Sequence, residues 1–238
     1  MRRELRAALA AVCFLTRLPL AGRFELGGGD VRLAGAYFPV VGAALGAAAA
    51  TAAKRAGPDV GVVAGTLATG ALHLDALADL ADASGAHTRE RALQIMRDPR
   101  VGAFGATAIV CDLLLKRAGM AALADGRHPI RAGIAVGALS RAAPVALAAA
   151  LPYARAEGTA AALARGGGLR AATATVTALG IAFAALGRDA VRLAAVAGGL
   201  TVVAGVGLNR WLGGVTGDGL GASLELTETV LLLMAADR

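Results

Sequence analysis

The hydrophobic positions of this chain fall into long runs separated by short polar connections. The apolar runs cover residues 7–20, 33–53, 60–83, 101–118, 131–151, 171–187, 190–208 and 219–236. Several of them approach the roughly 20 residues that a helix needs to cross a bilayer. The pattern predicts an all-α fold, a polytopic integral membrane bundle of about seven transmembrane helices. We expect a single domain over residues 1–238, because no separate polar domain interrupts the runs.

The first run differs from the others. The N-terminus reads MRRELRAALAAVCFLTRLPL, with a basic start and a short apolar stretch that Arg17 interrupts. No convincing cleavage site follows, so a removable signal peptide is not favoured. We predict a retained first helix, lying at the membrane interface, and leave open whether residues 7–20 cross the membrane.

Three polar connections should lie on one side of the membrane. They cover residues 83–100, 152–170 and 209–218, and two predicted crossings separate each from the next. This side and the segment 22–32 carry ten arginines against eight basic residues on the other side. Basic residues favour the cytoplasmic side, so the pattern leans towards an active site that faces the cytoplasm from the cell (inner) membrane.

Composition agrees with a membrane protein and restricts its partners. The chain is 57% hydrophobic and only 17% charged, whereas soluble domains carry about 25% charged residues. The net charge is +7, but the arginines form no long block and lack interleaved aromatic residues. We therefore exclude nucleic acid as a partner and favour membrane lipid or phosphate-bearing substrates.

Two stripes of acidic residues interrupt this apolar background. Asp75, Asp79 and Asp82 fall within about 60° of one another on a helix, and Asp218, Glu225 and Glu228 within about 80°. Carboxylates at membrane depth are costly and require partners. If the two stripes face each other, all six residues form a cage for a hard divalent cation, most plausibly Mg²⁺. Solvated helix ends or Arg partners are the alternative explanation.

Several other residues are candidates for binding phosphate. Arg141 lies in the middle of an apolar run, where it either pairs with a buried acid or clamps a phosphate through its planar guanidinium. Loop residues could extend such a clamp, and the glycine-rich GGVTGDGLG could cradle a phosphate on backbone N–H groups. The predicted phosphate-binding residues are Arg97, Arg100, Arg155, Asn209, Arg210 and Gly217.

At this point the chain resembles the cobalamin synthase family, adenosylcobinamide-GDP ribazoletransferase. The resemblance rests on segments that span almost the whole chain in order. They are FLTRLPL at 14–20, YFPVVGAALG at 37–46, ALHLDALADLADA at 71–83, IMRDPRVGAFGA at 95–106, LSRAAPVALAAALPYAR at 139–155 and LGGVTGDGLGASLELTETVLLL at 212–233. The family usually has glycine where this chain has Ala76 and Ala83, a departure that concerns helix packing.

The resemblance implies a Mg²⁺-dependent enzyme of late cobalamin biosynthesis. It would join adenosylcobinamide-GDP to α-ribazole or its 5′-phosphate and release GMP. The implied catalytic residues are Asp79, Asp82 and Arg141, with Asp79 or Asp82 as general base. Whether the enzyme is a homo-oligomer or joins a complex with other corrinoid-pathway enzymes stays open. The alternatives are a transporter or channel coupled to a cation or proton, and a non-catalytic membrane anchor.

Overall fold

The computed structural model describes residues 3–18, 26–155, 158 and 160–235. This part of the chain is helical and contains no strand, which confirms the all-α prediction. Twelve α-helices follow in chain order: α1 Arg3–Leu15, α2 Gly28–Ala34, α3 Phe38–Ala56, α4 Pro58–Thr69, α5 Leu72–Ala83, α6 Arg89–Ile95, α7 Ala103–Asp125, α8 Pro129–Ala150, α9 Ala161–Ala164, α10 Gly167–Leu186, α11 Ala190–Leu212 and α12 Gly217–Met234.

Helix boundaries follow local chemistry. Pro58 and Pro129 occupy the first positions of α4 and α8, where the missing N–H costs no hydrogen bond. Thr216 caps α12, because its hydroxyl accepts a hydrogen bond from the Gly219 N–H at 3.0 Å. At the C-terminal ends of α4 and α11, Gly70 and Gly213 have φ of 62° and 69°. Glycine adopts this left-handed conformation without steric cost.

The centre of the bundle is the contact of α8 with α3, α10 and α12. Gly42 and Gly46 of α3 face Gly133 and Gly137 of α8 so closely that an added Cβ would overlap the facing backbone. Small residues allow helices to approach in this way in an apolar environment, where close packing replaces the hydrophobic driving force.

Three helical stretches in the described residues are long and apolar enough to cross a membrane: Gly28–Ala56, Pro129–Ala150 and Gly167–Leu212. A fourth candidate is the pair α4 and α5, which bends by 87° at a short break. The count of about seven crossings is therefore not confirmed. The first predicted run lies partly in α1, which has 13 residues, and residues 19 and 20 are outside the described part. Residue 236 of the last run is also outside it.

The three polar connections predicted on one side meet at one end of the bundle. Tyr153 and Val215 form a short parallel β-bridge that joins the second connection to the third. Arg89, from the first connection, donates hydrogen bonds to the carbonyls of Leu212 at 2.6 Å and Ala154 at 3.2 Å. These contacts confirm that the three loops share one end, which we call the loop end.

Candidate active site

A cavity of about 820 Å³ opens near the loop end, between α1, α5, α12 and the chain around Tyr153. One part of its wall is apolar, with Phe14, Phe38 and Leu163 among the residues that line it. The polar residues of the wall are Thr16, Arg17, Thr69, His73, Asp75, Tyr153, Arg155 and Asp218. The volume is in the range of small-molecule sites, and the combination of an apolar wall with a few convergent polar groups is typical of them.

Arg155 and Asp218 form an ion pair on the wall of this cavity. The Arg155 guanidinium donates a hydrogen bond to Asp218 at 2.6 Å, and the two side chains are only 12% and 20% exposed. The Tyr153–Val215 bridge holds the loop against the start of α12, which places Arg155 next to the first turn of that helix. Burial raises the pKa of Tyr153, so this neighbouring phenol is a neutral hydrogen-bond donor at physiological pH.

Asp75 and Asp79 of α5 come from the opposite side of this group of charges. Asp75 lines the cavity, and Asp79 lies within electrostatic range of Asp75, Asp218 and Arg155. Neither carboxylate makes a hydrogen bond or an ion pair within the described chain. The two acidic stripes therefore meet at one point, where three carboxylates share a single nearby arginine.

The approach of α5 to α12 also explains the departure at position 76. The methyl group of Ala76 faces Gly221 of α12, where an added Cβ would collide with it. The glycine on α12 makes room for the alanine on α5. The substitution thus leaves the carboxylates of the two helices close together.

Asp82 has a different environment from Asp75 and Asp79. Its two oxygens accept hydrogen bonds from the backbone N–H groups of Gly102 at 2.7 Å and Gly105 at 2.8 Å. These are orphan donors at the start of α7, so Asp82 caps that helix from a neighbouring one. An added Cβ on Gly102 would lie 2.6 Å from an Asp82 oxygen. Asp82 thus has a structural role in the described chain. Its hydrogen bonds to the α7 backbone compete with the predicted role as general base or metal ligand.

Of the six predicted cage residues, Glu225 and Glu228 pair with cations in the structure. Lys116 of α7 binds Glu225 at 2.6 Å and Glu228 at 3.1 Å, and Arg141 of α8 forms an ion pair with Glu228. These side chains surround a separate cavity of about 40 Å³ in the bundle interior. The physical reason is charge balance. A buried acid requires a cation, and α7 and α8 each supply one basic side chain.

This cluster also corrects the prediction for Arg141. Its side chain is 4% exposed, pairs with Glu228 and is not part of the large cavity's wall. The structure therefore supports the ion-pair alternative over the phosphate clamp.

Among the residues that the structure describes, no three His, Cys, Asp or Glu side chains are arranged to hold a metal ion. Asp75, Asp79 and Asp218 converge without forming a complete set of ligands. As a donor set, however, they are the oxygen ligands that Mg²⁺ prefers.

Most of the predicted phosphate-binding residues lie outside the large cavity. Arg97, Asn209 and Arg210 are exposed and do not line it. Arg100 is 86% exposed and binds Asp98 at 2.6 Å, and this hydrogen bond lowers the pKa of Asp98 to about 2. Arg155 and Gly217, by contrast, do line the large cavity.

The sequence pattern does not predict the position of Lys116. It is buried and bridges α7 to α12. Its only sequence signal was an apolar run that also contains Asp112, four residues earlier. That spacing suggested a pair within α7, but Asp112 accepts a hydrogen bond from Thr229 of α12 at 2.6 Å.

Comparisons with known proteins identify the family of the chain. Residues 7–236 match the family model described as Cobalamin-5-phosphate synthase. The adenosylcobinamide-GDP ribazoletransferase of Chlorobaculum tepidum is 38% identical, with 98% of this chain and 95% of that protein covered. Proteins of the same name from Ralstonia nicotianae and Klebsiella pneumoniae are 36% and 37% identical, with at least 95% of each chain covered. No solved structure gives a significant match. The chain therefore belongs to the cobalamin-5-phosphate synthase family and is a transferase of cobalamin biosynthesis.

Proposed function

We propose that this chain catalyses the Mg²⁺-dependent transfer of the adenosylcobinamide-phosphate group from adenosylcobinamide-GDP to α-ribazole or its 5′-phosphate, releasing GMP. The observation that carries the proposal is the large cavity, which Asp75, Arg155 and Asp218 line and near which Asp79 lies within electrostatic range of all three. Both substrates are those that the names of the relatives imply. Lys116 and Arg141 balance the interior acids Glu225 and Glu228, which leaves Asp75 and Asp79 as unpaired carboxylates near the loop end and favours a transferase over the transporter alternative.

The donor set supports the proposed metal. Three carboxylates beside one arginine leave an excess of two negative charges, which a divalent cation would neutralise. Asp75, Asp79 and Asp218 would hold Mg²⁺, and the bound ion would neutralise charge that develops on the pyrophosphate. Glu225 and Glu228 are left out of this set, because Lys116 and Arg141 already balance them.

The residues of the chain have distinct roles in this reaction. Arg155 would turn from Asp218 to the phosphate oxygens of the substrate, which a guanidinium binds in a bidentate manner. An acceptor hydroxyl attacks the phosphorus nearer the corrinoid, the bond from that phosphorus to the GMP oxygen breaks, and the hydroxyl proton goes to a carboxylate. We assign that proton to whichever of Asp75 and Asp79 the metal leaves free, since both oxygens of Asp82 accept backbone hydrogen bonds.

We also propose seven crossings, formed by α3, the α4–α5 pair, α7, α8, α10, α11 and α12, with α1 at the interface. The stretch Gly167–Leu212 would extend about 69 Å as one helix, more than twice the thickness of a bilayer core. Gly187, with φ of 59°, breaks it, and α10 contacts α11. This topology places the loop end on one side of the inner membrane, and the arginine distribution favours the cytoplasmic side.

One assay tests the proposal. Protein purified in detergent is incubated with adenosylcobinamide-GDP, α-ribazole and Mg²⁺, and GMP and the cobalamin product are quantified together. Stoichiometric formation of both is expected. GMP release at the same rate without α-ribazole would identify a hydrolase instead, and no turnover with either acceptor would refute the proposed reaction.

A further inference from the structure

The break between α4 and α5 lies on the wall of the large cavity. The two helices meet at an angle of 87°, and Gly70 and Ala71 both adopt left-handed conformations, with φ of 62° and 58°. Residues 69–73 line the cavity. In membrane proteins, broken helices commonly direct the N-terminus of the second half at an anionic group of the substrate.

The N-terminus of α5 has the donors for such a role. The first N–H groups of a helix have no acceptor within it, and Ala71 provides no side-chain cap here. These groups carry the positive end of the helix dipole, which favours anions. A helix N-terminus alone does not define an anion site. Side chains that can bind the anion must lie beside it.

Two side chains beside this N-terminus lack partners. The exposed guanidinium of Arg17 makes no ion pair or side-chain hydrogen bond within the described chain and lines the cavity. Its position is fixed, because the Arg17 N–H donates to the Ala68 carbonyl at 3.0 Å and its side chain lies over Gly70, where a Cβ would be 2.7 Å from Nε. His73, only 4% exposed, lies between the large cavity and the small interior cavity and lines both, and its Nδ1 has no hydrogen-bond partner.

We propose that Arg17, His73 and the N-terminus of α5 form a subsite for a phosphate group of the nucleotide substrate. This inference rests on the proposed function. Asp75 lies in the first turn of the same helix, so a bare anion would meet a negative charge there. A pyrophosphate that binds with a divalent cation would meet less repulsion, because the positive charge of the cation would offset that of the carboxylate. The subsite complements Arg155, which approaches the cavity from the loop after α8 and pairs with Asp218 of α12.

The test separates the charge of Arg17 from its packing over Gly70. Arg17→Met keeps a long apolar side chain, and Arg17→Lys keeps the charge. Losing one charge-assisted hydrogen bond should raise KM for adenosylcobinamide-GDP about ten- to a hundredfold in Arg17→Met. Arg17→Lys should recover most of this loss. KM for α-ribazole and the melting temperature should change little in either variant.

Arg117→Gln is the matched control, since Arg117 is exposed and pairs with Asp59 at the end away from the cavity. The proposal is overturned if Arg17→Met leaves KM for the nucleotide unchanged, if both variants lose activity equally, or if the KM values of both substrates rise together. GDP binding by calorimetry on the same preparations tests the subsite independently. If the wild-type protein binds GDP through Arg17 but produces no GMP, the proposed function fails while the subsite stands.

Discussion

Lys116 Nζ lies 2.6 Å from Glu225 Oε1 in the interior of the bundle, where both side chains are at least 90% buried. The pair joins α7 to α12, and the six acidic residues of the two stripes have three different environments. Asp75 and Asp218 line the large cavity with Asp79 nearby, Asp82 accepts backbone hydrogen bonds from α7, and Glu225 and Glu228 pair with cations. Each group has its own expected response to substitution.

The buried pair should contribute to stability rather than to turnover. Glu225→Gln leaves the Lys116 charge with one acid instead of two, and removing one partner of a buried pair typically costs about 3–5 kcal/mol. We expect a lower melting temperature, with unchanged Mg²⁺ dependence of the folded fraction. Thermal unfolding in detergent and a Mg²⁺ titration of initial rates measure the two effects. A normal melting temperature with a raised Mg²⁺ requirement would show that Glu225 binds the metal after all.

Asp79 should behave in the opposite way. Asp79→Asn keeps the size of the side chain but removes a charge from the proposed metal site. We expect a loss of at least about a hundredfold in kcat/KM, as for a metal or proton-transfer residue, with a normal melting temperature. Asp59→Asn is the matched control, because that exposed residue forms a surface pair with Arg117 at the other end. Equal activity of the two variants at limiting Mg²⁺ would exclude Asp79 from the site.

Divalent cations should be required for turnover. Excess chelator should abolish GMP release from adenosylcobinamide-GDP, and Mg²⁺ or Mn²⁺ should restore it, because an all-oxygen donor set suits both ions. Zn²⁺ should restore it poorly, since it prefers nitrogen and sulfur ligands. Full turnover in metal-depleted protein, with the depletion confirmed by elemental analysis, would rule out the proposed role of the carboxylates.

Arg141 should tolerate lysine. Its partner is Glu228, and a lysine at position 141 would carry the same positive charge and keep the buried cluster balanced. We expect Arg141→Lys to retain kcat/KM within about threefold, and Arg141→Met to lower the melting temperature, because it leaves Glu228 with Lys116 alone. Both quantities are measured on one preparation. A stable Arg141→Lys protein with a tenfold or greater loss of kcat/KM would restore the phosphate clamp.

The contact of α3 with α8 should not accept a methyl group. An alanine at Gly137 would place its Cβ in the backbone of Gly42, so the helices would have to separate. We expect Gly137→Ala to lower the melting temperature substantially, since overpacking typically costs about 1–3 kcal/mol. Gly180→Ala in α10 is the control, because an added Cβ there meets nothing within 4 Å. Similar melting temperatures for both variants would contradict the close approach.

The all-helical fold, the loop end and the acidic faces of α5 and α12 could be predicted from the sequence. Long apolar runs specify helices through local burial, and counting crossings placed the connections of Arg89, Tyr153 and Val215 on one side. Helical spacing also brought Asp75 and Asp79 onto one face, and the family segments named the chemistry. These properties depend on neighbours within a few turns, so a linear pattern contains them.

Which charges meet depends on how the helices pack against one another. Lys116 and Glu225 are 109 residues apart, and their contact depends on the rotation of α7 and α12 about their own axes. Asp82 likewise accepts hydrogen bonds from Gly102 and Gly105, whereas its spacing suggested a metal ligand or general base. A carboxylate on an apolar helix must find a partner, but whether that partner is a cation, a backbone donor or a substrate depends on the facing helix. That choice is made by packing over the whole bundle, which no local pattern specifies.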